Sequence, residues 1–461
     1  MSDSTITAAE TREIGSRLEL FTDDWLIEQM SGVSLKMHAP IPREIALELD
    51  RPWEGPYSYD PVIIREDGRY RLWYRGCGTV WEEQCTAYAE SEDGMHWQRP
   101  SLGIFEFEGS GDNNIVLQGK DAIAVCVFKD ANPAAPDAEC YKAIGIGAKV
   151  DGRQTLRAFT SPDGLHWQVL DRDPIFIAPD DPWPIFDSHN VAFWDPLQGC
   201  YAIYARGWLP PGVRSIRRSV SADFRIWSQL EFIDLGEAPQ EHLYKNACTQ
   251  YFRAPHIYLM FPKRFVPGRK FEADWQDDGI SESVFMSSRD GVHWDRRFME
   301  AFLRPGPDPH NWTDRNMYIG VGVVPTSPTE LSLYYVEHYK HPSMRLRRAA
   351  LRLDGFCSVH APYAGGEFLT RPLVFDGGEL AVNYSTSAVG SLRVEIQDIS
   401  GRPLDGYGLS DSEEIYGDEI ERIVTWRRGA DVGALAGRPV RLRFALQDAD
   451  LYALQFRAAN S

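Results

Sequence analysis

The chain has 461 residues, more than one hydrophobic core usually supports, so at least two domains are expected. It is 43% hydrophobic with 38 Gly and 30 Pro, which is typical of a folded protein with many strands and turns and not of a helical bundle or a disordered chain. The net charge of −19 argues against nucleic acid and acidic membranes as partners, because both attract clustered Lys and Arg.

Residues 1–20 lack the basic and apolar regions of a signal peptide, and no later apolar run reaches the length of a membrane span. These features favour a cytoplasmic protein, with the mature form of a secreted protein as the alternative. The seven cysteines show no Cys-x-x-Cys spacing, which favours buried free thiols over zinc or redox chemistry. No cofactor and no metal are predicted, and the oligomeric state stays open, with a homo-oligomer among the alternatives.

A seven-residue pattern, Ser-x-Asp-Gly-x-His-Trp, recurs along the chain. Its copies begin at Ser91, Ser161 and Ser288, and a fourth at Ser221 keeps only the Ser, Asp and Trp. A repeat of this length has room for about four short strands, as in a propeller blade. Asp-Gly supplies the positive φ of a tight turn, and the Trp can pack between neighbouring sheets, so the histidines of the pattern are interpreted as structural.

In chain order, the apolar runs indicate five blades, followed by a change of pattern. The blades begin near residues 59, 113, 186, 241 and 314, and residues 18–27 are a candidate strand to complete the last one. From about Ser358 the pattern becomes period-two alternation, as in Leu392, Val394 and Ile396, which is typical of a β-sandwich. The predicted fold is therefore all-β, with a five-bladed β-propeller and an N-terminal extension in residues 1–357 and a C-terminal β-sandwich in residues 358–461.

The innermost strands of a propeller line a central funnel, so polar residues at their starts should meet there. Carboxylates at these positions can transfer protons or stabilise an oxocarbenium-like transition state, and indole faces can stack on a sugar. The acids at strand starts are Asp60, Asp187, Glu241 and Asp314, and the indoles just before three of them are Trp53, Trp183 and Trp312.

Each acid also has a structural interpretation. Asp60 could cap the turn before Pro61, and Asp187 could bind strand amides around the channel. Glu241 could be a solvated loop acid, and Asp314 could pair with its neighbour Arg315. The short spacing of a metal site such as His-x-x-x-His is absent, which favours hydroxyl-binding roles for three histidines that are expected to line the channel: His189, His242 and His338.

Tyr59-Asp60-Pro61 followed by Gly68-Arg69-Tyr70-Arg71-Leu72-Trp73-Tyr74 resembles the first blade of the five-bladed propeller glycoside hydrolases, the group that contains glycoside hydrolase families 32, 43, 62 and 68. The resemblance covers about residues 45–355. It implies that Asp60 is the nucleophile or general base, Asp187 the carboxylate that positions substrate and raises the pKa of the acid, and Glu241 the general acid. The Arg-Asp-Pro and Glu-Cys motifs of family 32 are absent at the matching places, so no single family is assigned.

The predicted function is hydrolysis of a small or chain-terminal glycoside, a furanoside or a pyranoside, so the expected partner is a carbohydrate substrate. An inverting glycoside phosphorylase is one alternative, because Arg206, Lys245 and Arg315 could bind phosphate. A non-catalytic carbohydrate-binding propeller is another. The residues predicted to bind substrate are Trp53, Trp183, His189, Asn190, His242, Trp312, Asp314, Arg315 and His338.

Overall fold

The computed structural model describes residues 11–78, 84–120, 123–179 and 183–459, and their regular structure is almost entirely β-strand. It divides into two compact units, one from Ala39 to Leu351 and one built from both chain ends, up to His38 and from Arg352 on. The sequence-based division placed the N-terminal extension with the propeller, whereas its strands pair with C-terminal strands. Three short 3₁₀ turns are the helical elements of the described residues: Asp137–Glu139, Pro309–Asn311 and Gly433–Leu435.

The larger unit is a β-propeller whose sheets follow one another along the chain. In each sheet the first strand pairs antiparallel with the second, the second with the third and the third with the fourth. Sheet 1 is Tyr59–Glu66, Arg69–Gly76, Cys85–Ser91 and Ile115–Gln118; sheet 2 is Ile123–Lys129, Tyr141–Val150, Arg153–Ser161 and Gln168–Val169, with Phe176–Ile177 added; sheet 3 is Val191–Asp195, Cys200–Leu209, Val213–Ser221 and Glu231–Phe232. Sheet 4 is Thr249–Tyr251, Ala254–Met260, Met286–Ser288 and Trp294–Asp295, and sheet 5 is Val324–Pro325, Glu330–Glu337, Arg345–Arg352 and Ile41–Glu48.

Three short strands extend sheet 4. They are His242–Leu243, Lys263–Val266 and Ile280–Ser283. Backbone hydrogen bonds from Tyr244 N to Lys263 O and from Phe261 N to Asn246 O continue the pairing of Thr249–Tyr251 with Ala254–Met260. This agrees with the prediction that the fourth blade starts near residue 241.

The last sheet is completed by a strand from near the N-terminus. Ile41–Glu48 pairs antiparallel with Arg345–Arg352, and Arg348 donates to Glu44 across this pair. Residues 18–27 do not complete it, since Glu19–Leu20 pairs with Arg441–Arg457 in the smaller unit. The first and last sheets meet where Val62 and Val321 form a parallel bridge.

The repeat turns occupy equivalent positions, because each follows the third strand of its sheet. In the copy at Ser161, the Ser161 Oγ accepts from the amide of Gly164 at 2.9 Å, and Asp163 Oδ1 accepts from the next two amides at 2.8 Å. The same bonds recur in the copies at Ser91 and Ser288. The histidine of each copy is exposed and lies 2.6–2.7 Å from its motif aspartate, a contact within the turn that agrees with a structural interpretation.

Each repeat turn also joins its sheet to the preceding one. The carbonyl of Gly164 accepts from Trp73 Nε1 of sheet 1 at 2.8 Å, and the carbonyl of Gly291 accepts from the Tyr204 hydroxyl of sheet 3 at 2.8 Å. The carbonyl of Gly94 accepts from the Tyr334 hydroxyl of sheet 5. The repeat motif is therefore a contact between neighbouring sheets as well as a turn.

The smaller unit has one core, to which an eight-stranded sheet and a two-stranded sheet contribute. Phe368, Val394 and Phe444 pack in the same buried cluster as Leu380 and Phe456. The two longest strands pair with each other along their length, with a register shift between Thr386 and Ser391. The strands of this unit are Arg12–Gly15, Glu19–Leu20, Ile27–Ser31, Ser34–Met37, Cys357–Ala361, Gly366–Thr370, Leu373–Phe375, Glu379–Gln397, Asp418–Ile423 and Arg441–Arg457.

All seven cysteines are free thiols, and five of them are buried. Cys140 and Cys200 are half-buried. Across the described ranges, the model contains no helix with the length and apolar character that crossing a bilayer requires.

Candidate functional site

A cavity in the propeller lies where the first strands of several sheets begin. Asp60 reaches it from sheet 1, Ile123 from sheet 2 and Asp187 from just before sheet 3. This agrees with the expectation that residues far apart in sequence meet at the strand starts. The side chains that line the cavity are Tyr59, Asp60, Arg75, Ile123, Ala124, Ile146, Asp187, Ser188, Tyr244, Lys245, Arg315 and Tyr339.

Asp60 is buried and its backbone is left-handed. Its φ is 58°, a conformation that an L-residue other than glycine seldom adopts and that costs about 1–3 kcal/mol. Its side chain is held from two sides, since Lys245 Nζ donates to Oδ1 and Arg75 Nη1 lies 3.3 Å from Oδ2. The surrounding cations therefore fix both the position and the charge of this carboxylate.

The cations around Asp60 decide its protonation state. Burial opposes its ionisation, but Lys245 and Arg75 together outweigh burial and hold the pKa of Asp60 well below its usual value. Burial lowers the pKa of Lys245 to about 7 against the attraction of Asp60, and repulsion from Arg75 adds to the lowering. Asp60 is thus a carboxylate near neutral pH, suited to act as a nucleophile or base and not as a proton donor.

His189 is buried beside this ion cluster. Its Nδ1 lies 2.8 Å from the Tyr318 hydroxyl, and burial lowers the pKa of His189 to about 4, so its ring is neutral near pH 7. The neighbouring Asn190 donates from Nδ2 to the carbonyls of Phe186 and Ser188 at 3.1 and 3.0 Å. Asn190 therefore holds the turn that leads into sheet 3.

Asp187 is the second predicted acid at this cavity, and Glu241 lies elsewhere. Asp187 has 54% of its side chain exposed and lies 3.6 Å from Arg206 Nη1. Glu241 accepts from Arg296 Nε at 2.8 Å and from Arg264 Nη1 at 3.1 Å, beside the short strands that extend sheet 4, and it does not line the cavity. The structure brings together Asp60 and Asp187 and gives Glu241 two guanidinium partners of its own.

Asp314 and Arg315 form the ion pair that was the structural interpretation of Asp314. Arg315 Nε donates to Asp314 Oδ2 at 2.5 Å, and Arg315 Nη1 donates to the Tyr339 hydroxyl at 3.3 Å. Asp314 is buried, whereas Arg315 reaches the cavity. Arg315 is therefore the member of this pair that a ligand in the cavity would meet.

The three histidines that were expected to line one channel have three different sets of partners. His189 contacts Tyr318, as described above. His242 Nδ1 lies 3.3 Å from the amide and 3.4 Å from Nη1 of Arg214. His338 lies 2.8 Å from Asp308 Oδ2 and 2.7 Å from Ser343 Oγ. Among the three, His189 has the contacts that belong to the surroundings of Asp60.

The three indoles also have separate surroundings. Trp53 donates from Nε1 to Asn114 Oδ1 at 2.8 Å. Trp312 stacks on Phe271 with the ring centres 5.5 Å apart. Trp183 stacks on Trp208 at 5.2 Å and is 46% exposed, which makes it the most exposed of the three indoles.

Four residues at or behind the cavity wall were not singled out from the sequence: Arg75 and Tyr244, which line the cavity, and Arg214 and Lys263, which contact Tyr244. Tyr244 is central to them, because Lys263 Nζ lies 4.0 Å, and the Arg214 guanidinium carbon 4.6 Å, from the centre of its ring. Arg206 contacts the same ring at 4.3 Å. The available signal was a cation directly after an apolar run, as in Lys263 after residues 257–262.

The comparisons with known proteins give no family. No family model matches the chain. Two uncharacterized proteins of Mycobacterium tuberculosis are 30% and 29% identical to it over 157 residues, which make up 32% of this chain and 44% of each relative. The chain thus spans less than half the length of the curated relatives it matches.

Similar solved structures include several glycoside hydrolases. A structure described as a glycoside hydrolase covers 68% of this chain and 92% of its own, at 14% identity and a TM-score of 0.47. A putative glycoside hydrolase from Bacteroides ovatus covers 71% and 97%, at 18% identity and 0.43. An exo-inulinase from Aspergillus awamori covers 89% and 99%, at 12% identity and 0.41. With TM-scores below 0.5, these similarities do not decide the activity of this chain.

Proposed function

We propose that this protein is a glycoside hydrolase that uses Asp60 as its ionised carboxylate and Asp187 as the second acid. The observation that carries the proposal is the state of Asp60, a buried, conformationally strained carboxylate that two cations keep ionised at the edge of a cavity. Strained residues with perturbed pKa values cluster at functional sites. Asp187 is exposed at the same cavity and is therefore open to exchange protons.

In the proposed reaction, the bond between the anomeric carbon and the leaving oxygen breaks, and Asp187, after taking up a proton from the solvent to which it is exposed, gives that proton to the oxygen. Asp60 either forms a bond to the anomeric carbon, which water then breaks with release of the sugar, or takes a proton from the water that attacks this carbon directly. Its negative charge stabilises the positive charge that develops on the sugar ring. The resting ion pair with Lys245 would weaken as that charge develops, because Asp60 gains a third cationic neighbour besides Lys245 and Arg75.

The stacked pair Trp183 and Trp208 supplies the surface on which a sugar ring could lie. Its exposed indole is large, apolar and flat, which suits the C–H face of a pyranose or furanose ring. Trp208 also contacts the Arg214 guanidinium at 4.7 Å, and Arg214 lies over Tyr244 of the cavity at 4.6 Å. An aromatic surface therefore continues into the cavity.

The test is a screen of aryl furanosides and pyranosides with the wild-type protein, followed by Asp60→Asn and Asp187→Asn on any substrate found. Both variants should lower kcat by about 100-fold or more. The matched control is Glu241→Gln, which removes an acid from outside the cavity and should retain most of the turnover. Wild-type turnover in Asp60→Asn, or a loss confined to Glu241→Gln, would contradict the proposal. The product anomer, followed by NMR, reports whether Asp60 acts as nucleophile or as base.

An inverting phosphorylase is the second candidate, and the cations beside Asp60 favour it. Such an enzyme would use phosphate in place of water as the group that attacks the anomeric carbon. The same screen with and without inorganic phosphate separates the two activities. Turnover that requires phosphate and yields a sugar 1-phosphate would identify the phosphorylase, and turnover that is independent of phosphate would identify the hydrolase.

A further inference from the structure

The charge of this site is opposite to that of the whole chain. The chain carries a net charge of −19. Around Tyr59 and Tyr244, however, six cationic side chains accompany three carboxylates, a formal excess of three positive charges (six minus three). The cations are Arg75, Arg206, Arg214, Lys245, Lys263 and Arg315, and the carboxylates are Asp60, Asp187 and Asp314.

The carboxylates neutralise only part of this cluster. Asp60 pairs with Lys245 and Arg75, and Asp187 lies near Arg206. Asp314 pairs with Arg315. Within the described ranges, no ion pair joins Arg214 or Lys263 to a carboxylate. These two cations, which both lie against the ring of Tyr244, are therefore the part of the cluster that no carboxylate of the described residues pairs with.

Burial makes uncompensated charge costly here. Lys263 has no exposed surface, and Arg206 has 1% of its side chain exposed. The Nε atoms of Arg206 and Arg214 are buried and make no hydrogen bond within the described part of the chain. Burial and repulsion from Lys245 and Arg315 lower the pKa of Lys263 well below its usual value. Proteins rarely bury like charges together without a partner for them.

We propose that Arg214 and Arg315, the half-buried cations around Tyr244, form a subsite for an oxyanion carried by the sugar substrate, with the buried cations Arg206 and Lys263 behind them adding positive charge. The class of substrate would be a glycoside with a carboxylate, sulfate or phosphate group. This inference rests on the proposed glycoside-cleaving function, and it adds the chemical class of the sugar. Guanidinium groups bind planar oxyanions through paired hydrogen bonds, and a concave site of one charge sign concentrates ligands of the opposite sign.

The subsite lies close to Asp60, the proposed reacting carboxylate. Its ligand is therefore proposed to be a group on the substrate and not a separate effector molecule. Lys263 Nζ donates to the Tyr59 hydroxyl at 3.2 Å, and Tyr59 precedes Asp60 in the chain. Tyr244 precedes Lys245, the cation that binds Asp60. Tyr59 and Tyr244, the two tyrosines that the subsite cations contact, are thus each adjacent in sequence to one member of the Asp60–Lys245 ion pair. A sugar whose anomeric carbon faces Asp60 would place a ring substituent among these cations.

The experiment compares sugars that differ only in charge. Binding of methyl glucuronide and methyl glucoside to the full-length protein, and of the corresponding galacturonide and galactoside, is measured by calorimetry. In at least one pair the uronide should bind about tenfold or more tightly, which corresponds to one charge-assisted contact. Inorganic phosphate and sulfate, titrated alone and in competition, distinguish a free anion from a sugar-borne group. Competition with the uronide supports the shared subsite.

Arg214→Gln tests the assignment, and Arg217→Gln is its matched control. Both arginines lie half-buried on the strand Val213–Ser221, and each lies over an aromatic ring, Arg214 over Tyr244 at 4.6 Å and Arg217 over Phe232 at 4.5 Å. Because alternate residues of a strand face opposite sides, only Arg214 faces the subsite. Arg214→Gln should weaken binding of the anionic sugar about tenfold or more, and Arg217→Gln should leave it unchanged.

Equal binding of charged and neutral sugars in both pairs, or equal effects of the two variants, would overturn the proposal. The wild-type comparison decides the question even if Arg214→Gln does not fold. Asp60→Asn separates this inference from the proposed function, because it should abolish turnover and keep the preference for the charged sugar. Anion binding without turnover of any glycoside would refute the hydrolase alone, and turnover of neutral glycosides without anion binding would refute the subsite alone.

Discussion

Gly164 tests the role of the repeat turns as contacts between sheets. Its φ is +76°, and a Cβ at this position would lie 2.9 Å from Trp73 Cζ2 of the preceding sheet. Gly68 has a similar φ of +82° but no atom within 4 Å of its Cβ position. Gly68→Ala therefore measures the backbone strain by itself, and Gly164→Ala measures the same strain together with the clash.

The expected magnitudes follow from these two contributions. The left-handed conformation costs an alanine about 1–2 kcal/mol, and the reduced freedom of the unfolded chain returns about 0.4–1 kcal/mol. Gly68→Ala should thus lower the free energy of unfolding by about 1 kcal/mol. Gly164→Ala adds about 1–3 kcal/mol of overpacking against a buried indole, for a total of about 2–4 kcal/mol.

The assay is urea and thermal unfolding, followed by tryptophan fluorescence and by calorimetry. The two compact units can unfold in separate transitions, so the comparison uses the transition that both glycine variants shift. At about 2 °C per kcal/mol for a domain of this size, the melting temperature should fall by about 2 °C in Gly68→Ala and by about 4–8 °C in Gly164→Ala. Equal losses in the two variants would refute the idea that the turn holds neighbouring sheets together.

The fourth copy of the turn gives the opposite test. Phe224 stands where the other copies have glycine, with a φ of 64°, and it is fully buried 5.5 Å from Phe128 of sheet 2. Phe224→Gly relieves the strain but removes the contact between sheets. Because loss of a buried Phe side chain costs about 3–5 kcal/mol, this variant should be less stable than the wild type despite its relaxed backbone. A gain in stability would contradict that reasoning.

Three further results are expected at the site. Lys245→Met and Asp60→Asn should each lower the free energy of unfolding by about 3–5 kcal/mol, because each leaves a buried charge with fewer partners. In urea unfolding, the double variant should lose less than the sum of the two single losses, and additive losses would show that the pair is not coupled. Sulfate affinity measured by calorimetry should fall as the pH is raised through about 7, because burial lowers the pKa of Lys245 to about 7 and its positive charge is lost there. Lys245→Arg should remove the contribution of residue 245 to this fall, because a guanidinium keeps its charge. Trp183→Ala should raise KM for a glycoside about threefold to tenfold with little change in kcat, because it removes a stacking contact with the sugar. An unchanged KM would show that Trp183 does not contact the substrate.

The sequence by itself determined the parts of this protein that depend on local structure. The repeated Ser-x-Asp-Gly pattern fixes a turn through its own side-chain bonds, such as Asp163 to the two following amides, so the four turns and their place after a strand could be predicted. The same holds for Asp60, because it directly precedes Pro61 at the start of an apolar strand. The alternation that indicated a C-terminal β unit is equally local.

Only the tertiary structure decided which distant residues meet. The strand that completes sheet 5 comes from Ile41–Glu48 and pairs with residues about 300 positions later, and no local pattern distinguishes it from residues 18–27. Glu241 lies beside Arg264 because the strand that follows it, His242–Leu243, pairs with Lys263–Val266, so its partners are Arg264 and Arg296 and not a residue next to Asp60. The cations around Tyr244 come from separate stretches of the chain, and their charge excess depends on long-range packing. The physical reason is the same in each case, since pairing and charge are set by neighbours in space.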